Sequence, residues 1–139
     1  MDQERKERFL EKINGIHDNS DLILLWEREA SDSLNIVDIK TALAIFKAFQ
    51  EITEAFMDCI VFYIRENNLH PRDNYSNIEQ IDIFSPDQKL LLIEMNEIRC
   101  RITHQYSESE MGPLITSISH TLSDIPQVTR TLQIWIENN

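Results

Sequence analysis

The sequence predicts an all-α fold, an antiparallel bundle of four to five helices, and three observations carry that prediction. Only two glycines and four prolines occur in 139 residues, too few for the tight turns on which a β-sandwich or barrel depends. Apolar residues recur at three- and four-residue spacing over long stretches, above all between residues 36 and 63, the period of an α-helix. A helix-start signature, Ser85-Pro86-Asp87-Gln88, stands before another such stretch, with proline at the first helical position and glutamine three residues after the serine cap. With 42% hydrophobic and 27% charged residues the composition is that of an ordinary globular domain. A chain of about 150 residues buries roughly two-thirds of its unfolded surface, so residues 1–139 are expected to form one domain that needs no staple. No repeat, low-complexity tract or Gly/Ser-rich linker divides it.

In chain order, the first helical stretch begins near Asp2, is expected to break around Asn14-Gly15, and resumes after the cap-like run Asp18-Asn19-Ser20-Asp21 toward Trp26. The second is the clearest. Ser33 or Asn35 can cap it, and Ile36, Ile39, Leu43, Phe46, Phe49, Phe56, Ile60 and Tyr63 recur at helical spacing until Asn67-Asn68. The aromatic stripe Phe46, Phe49, Phe56 reads as packing or dimer interface rather than a base-stacking platform. Residues 69–84, with Pro71, Asp73, Asn74, Ser76 and Asn77, read as an irregular connection over the surface with a short helical turn near Ile78 to Ile81. After Ser85, Leu91, Met95, Ile98 and Ile102 point inward. Gly112-Pro113 is expected to open a last helix carrying Ile115, Ile118, Leu122, Ile125, Leu132 and Trp135 or Ile136, kinked at Pro126.

A net charge of −11 repels nucleic acid and anionic membrane surfaces in general, so any RNA contact must be local. The apolar runs, such as Ile60-Val61-Phe62-Tyr63-Ile64, are far short of a bilayer span, and the charged N-terminus lacks the apolar centre of a signal peptide. The expectation is a cytoplasmic protein with no membrane contact. Cys59 and Cys100 then read as reduced thiols, with Cys59 in the core.

Chemistry is concentrated in Arg99-Cys100-Arg101-Ile102-Thr103-His104-Gln105-Tyr106. Residues five apart lie about 140° apart around a straight α-helix. For Arg99 and His104 to converge, the helix must end or distort between them, or a second copy of the motif must face the first across a two-fold axis. The pair suits phosphodiester cleavage without metal. Histidine takes or gives a proton near neutral pH, and arginine holds a phosphate bidentately. On spacing alone, Arg99 would instead pair with Glu94 or Glu97, and His104 would be a helix C-terminal histidine favoured by the dipole. Cys100 and His104 are half of a structural zinc site with no second pair, so neither metal nor cofactor is expected. His17, His70 and His120 read as surface residues.

The stretch resembles the Arg-x4-6-His motif of HEPN domains, and Tyr106, two residues after the histidine, resembles the HepT branch, the toxin half of HEPN/minimal nucleotidyltransferase toxin–antitoxin pairs. The likeness extends over most of residues 36 to 137, through the long second helix, the irregular segment before Ser85-Pro86, the motif at a helix end and the closing amphipathic helix. It implies an all-α homodimer with a metal-independent ribonuclease cleft at the dimer interface. It also implies Arg99 and His104 as catalytic residues, Cys100 and Arg101 as supporting or RNA-contacting residues, and Tyr106 as the position that the nucleotidyltransferase antitoxin adenylates. One position departs: the family commonly has asparagine or another polar residue directly after the arginine, and Cys100 offers only a weak donor. The acidic neighbours Glu94, Glu97, Glu108 and Glu110 lower the local potential, with Arg101, Lys89 and a dimer-related Arg99 to offset them. These departures favour the alternative, a non-catalytic HEPN module that binds the nucleotidyltransferase or its substrate.

Overall fold

The computed structural model describes residues 1–32, 38–104 and 106–139, residues 31 and 32 for their backbone only. The described residues form six helices: α1 (Gln3–Asp32), α2 (Ile39–Glu66), α3 (Asn74–Gln80), α4 (Pro86–Thr103), α5 (Glu108–Leu122) and α6 (Ile125–Glu137). The predicted all-α bundle is observed, with five long helices and one short one. Its core is a single cluster fed by every helix, with Phe49, Ile52, Phe56, Ile60 and Ile64 of α2 at its centre.

The α1 helix runs straight through Asn14-Gly15, against the expected break. Phe9, Ile13, Ile16 and Ile23 are all buried, so the apolar stripe continues across Gly15 and its packing on α2 outweighs the roughly 1 kcal/mol that a helical glycine costs. The Asn19 amide, expected near a cap, donates instead to the Gly15 carbonyl at 3.1 Å. The pairs Arg5–Glu66 and Lys12–Asp58 join the start of α1 to the end of α2, which makes the two helices antiparallel.

Asp38 caps α2, its carboxylate accepting the Thr41 N–H at 2.7 Å; the expected caps Ser33 and Asn35, and Ile36, lie outside the described residues. Phe46, Phe49 and Phe56 are buried within the chain, so that stripe is packing. Ile39 and Leu43 differ from the expectation: at 52% and 47% exposed they flank the buried stripe in the first turns of α2. The helix closes on Asn68 at φ 58°, with Leu69 N–H bonded to the Ile64 carbonyl and Asn68 N–H to that of Arg65, the paired bonds of an asparagine-terminated C-cap.

The segment between α2 and α4 is more ordered and more buried than its composition suggests. Asp73 caps α3, which therefore begins earlier than the expected turn. The buried Asn77 side chain accepts the Arg72 N–H and donates to the Arg72 carbonyl, doing for this loop what a strand partner does for a β-edge. Ile78, Ile81 and Phe84 enter the core. The α4 start is as predicted, with Ser85 and Gln88 forming a complete capping box, and Leu91, Met95, Ile98 and Ile102 are buried.

The last expected helix is two. The α5 helix begins at Glu108 rather than at Gly112-Pro113, because Glu110 three residues after Ser107 accepts the Ser107 N–H at 3.2 Å, and Pro113 lies inside the helix. Asp124 interrupts the pattern, and Pro126 starts α6 rather than kinking a continuous helix, because a proline near a helix N-terminus gives up no intrahelical bond. Trp135 of α6 packs against Phe9 and Tyr63 at ring-centroid distances of 5.5 and 4.8 Å.

Candidate active site

The motif lies where α4 ends. Thr103 is the last helical residue, and His104 is the C-cap with extended backbone, φ −86° and ψ 164°. Of the routes to convergence, the helix does end between Arg99 and His104. Tyr106 leads into the Ser107 start of α5. Gln105 lies outside the described residues.

His104 is exposed and held from behind. Its backbone N–H donates to the Cys100 carbonyl at 3.1 Å, and its ring Nδ1 lies 2.5 Å from the same oxygen. A carbonyl only accepts, so Nδ1 carries a proton and Nε2 is left as the atom that exchanges one with a ligand. The Thr103 hydroxyl donates to that oxygen as well, at 3.0 Å. What Cys100 supplies to the motif is its carbonyl, which any residue there offers. Its half-exposed thiol makes no described bond.

Arg99 is half-buried, and its Nε is enclosed without a hydrogen-bond partner. Among the described residues no carboxylate pairs with it, so neither Glu94 nor Glu97 takes the role that spacing offered. A buried unsatisfied donor costs about 1–3 kcal/mol and calls for a functional account. Arg101 is exposed and reaches along α5 to the Ser117 hydroxyl, a long contact of 3.4 Å. Lys89 is bound to the Glu79 carbonyl, ten residues or about 15 Å of helix from Arg99, and offsets no charge at the motif. Tyr106 is half-buried with its ring edge-on to Phe46, centroids 5.3 Å apart.

Arg101, His104, Glu110, Pro113 and Leu114 line one cleft of about 200 Å³ between the end of α4 and the start of α5. Within one chain the cleft joins His104 to Arg101, while Arg99 lies outside its lining. Glu110 is the residue that the sequence reading undervalued. It stood only as an acidic neighbour, yet its Oε1 accepts both the backbone N–H and the hydroxyl of Ser107, at 3.2 and 2.9 Å, and so fixes the start of α5 directly after Tyr106. The Ser107-x-x-Glu110 spacing was the available signal.

Among the described residues no group of three or more histidines, cysteines or carboxylates is placed to hold a metal ion, and no helix is long and apolar enough to cross a membrane. His70 and His120 are exposed as expected, whereas His17 is half-buried. Neither the comparison with curated proteins nor that with solved structures gives a match. The model of the family described as ribonuclease HepT-like matches residues 8–132, which takes in most of α1 as well as most of the region of resemblance, residues 36 to 137. The chain belongs to the HepT-like ribonuclease family.

Proposed function

We propose that the protein is a metal-independent endoribonuclease toxin that cuts RNA through Arg99 and His104 and is silenced by a minimal nucleotidyltransferase antitoxin. The observation that carries this reading is the orientation of His104, whose Nδ1 is tied to the Cys100 carbonyl and whose Nε2 is free. That nitrogen takes the proton of a ribose 2′-hydroxyl. The 2′-oxygen then forms a bond to phosphorus as the bond to the 5′-oxygen breaks, leaving a 2′,3′-cyclic phosphate. The second proton transfer, to the departing 5′-oxygen, needs another acid, and in a homodimer it falls to the second copy of His104. Arg99 stabilises the charge growing on the phosphate through the terminal nitrogens of its guanidinium.

Support for a dimer comes from the apolar residues left uncovered. Leu22, Leu24, Leu25, Ile39 and Leu43 are all exposed, and they lie in the half of the bundle where α1 ends and α2 begins. That is the motif's end of the bundle, since Tyr106 packs on Phe46 there. In the antitoxin-bound reading, the Tyr106 phenol oxygen gives up its proton and bonds to the α-phosphorus of ATP as pyrophosphate leaves, and the adenylate so attached blocks the cleft with bulk and negative charge. The alternative, a non-catalytic module that binds the nucleotidyltransferase, is favoured by Cys100 and by the acidity around the motif; the use of Cys100 through its carbonyl weakens the first of these.

The test uses an RNA oligonucleotide and its copy with 2′-deoxyribose throughout, both incubated in excess EDTA. Cleavage of the first alone, with cyclic phosphate ends, is the expected result, and no cleavage of either assigns the protein to the non-catalytic alternative. Incubation with the antitoxin and ATP is expected to add one adenylate to the wild type and none to Tyr106→Phe.

A further inference from the structure

The α4–α5 cleft has more chemistry than phosphodiester cleavage uses. Its volume of about 200 Å³ lies below the roughly 300–1,000 Å³ of sites for drug-sized ligands, and suits one flat ring system. Pro113 and the buried Leu114 give it an apolar wall. Two charged side chains of opposite sign face the same space, Arg101 from α4 and Glu110 from α5. Glu110 spends Oε1 on Ser107, which fixes the carboxylate and leaves Oε2 as an acceptor. Arg101 is laid along α5 by its contact with Ser117, with donors to spare.

We propose that this cleft is a base subsite for guanine beside the scissile phosphate, with Glu110 and Arg101 as the residues that determine it. The assignment rests on the ribonuclease reading above. An acceptor-only carboxylate beside a donor-only guanidinium complements a base that presents adjacent donors on one edge and adjacent acceptors on the next. Guanine does so, with N1–H and N2–H₂ converging on the remaining Oε2 of Glu110, and O6 and N7 for Arg101 in the pairing that arginine most often makes with a base. Uracil brings two carbonyl oxygens on the edge that would face Glu110, and adenine has no acceptor at the position of O6. A carboxylate in a cleft meant only for the RNA backbone is repelled by phosphate; as a base reader it has a use. It also lets a chain of net charge −11 select RNA locally without a broad basic surface.

The experiment titrates the full chain with GMP, AMP, CMP and UMP, and separately maps the ends of cleaved random-sequence RNA. Wild type is expected to bind GMP roughly tenfold or more tighter than the other three, the discrimination of one good bidentate contact. Guanosine is expected at one position flanking the cut. Glu110→Gln still accepts the Ser107 N–H, so it is expected to melt like the wild type while losing the preference for GMP; Arg101→Ala is expected to lose it too. Equal binding of the four nucleotides, or a GMP preference that survives Glu110→Gln, overturns the subsite. RNA cleavage with no guanosine preference leaves the ribonuclease reading standing and removes this one. GMP preference without any RNA cleavage overturns the ribonuclease reading and, with it, the placement of the cleft beside a scissile phosphate, leaving only a guanine-binding cleft.

Discussion

At the end of the bundle where α1 begins and α2 and α6 finish, the side chains are matched to one another. Phe9, Phe62, Tyr63 and Trp135 pack ring against ring, Arg5 and Lys12 pair with Glu66 and Asp58, and the Tyr63 hydroxyl donates to Asp82. At the opposite end, where α4 stops and α5 starts, Arg99 holds an enclosed donor with no partner, His104 turns a free nitrogen to solvent, and leucine and isoleucine side chains of α1 and α2 are uncovered. The first arrangement spends its aromatic and charged side chains on the stability of the monomer. The second leaves capacity unused, and unused capacity in an otherwise well-packed domain is where binding and chemistry are found.

Substitutions at the two ends should therefore fail in different ways. The largest effect belongs to the packed core: Phe56→Ala is expected to destabilise the fold by about 3–5 kcal/mol, read by urea unfolding, and a loss below 1 kcal/mol would mean that α2 is not central. Next comes alkaline pH. Burial, helped by the bond to Asp82, pushes Tyr63 up to about 12, against about 10 for a free tyrosine. A group whose folded pKa is raised contributes stability that is complete below its unfolded value and lost as pH climbs through the folded one. Stability is thus expected to fall by on the order of 2 kcal/mol between pH 10 and 12, and Tyr63→Phe should flatten that fall.

A smaller effect separates the cap from the cleft. Ser107→Ala removes a partner of Glu110 and should cost about 1 kcal/mol in thermal unfolding, whereas Glu110→Gln should cost almost nothing. The smallest is a matter of reactivity. Burial pushes the Cys59 thiol up to about 12, so a thiol reagent should modify Cys100 alone in the native protein, with the second equivalent taken up only on unfolding. Two equivalents at native pH and temperature would contradict the burial of Cys59.

Much of the fold was legible because its signals are local. The capping box at Ser85 and the buried faces of α2 and α4 follow from spacing and need no knowledge of neighbours. What escaped depended on tertiary contact. Gly15 reads as a break until α2 is laid against both sides of it, and Asn77 reads as loop polarity until its bonds to Arg72 are seen. Pro113 and Pro126 read as one helix start and one kink, since composition does not tell a proline inside a helix from one that opens the next. At the motif, residue types and order were legible, as was the end of α4 before His104. The role of Cys100 was not, because it acts through a backbone carbonyl and sequence reasoning weighs side chains. Glu110 was visible as a charge but not as the residue that ties the first turn of α5 together.

The most direct test of the account is cleavage of bulk RNA in excess EDTA by the wild type beside His104→Ala and Arg99→Ala proteins shown to melt at the same temperature. Wild-type cleavage, with a loss of 100-fold or more in each variant, on the scale of a missing acid–base group, is the predicted result. Cleavage that persists in either variant would contradict the claim that the unspent groups at the end of α4 are the ones that work.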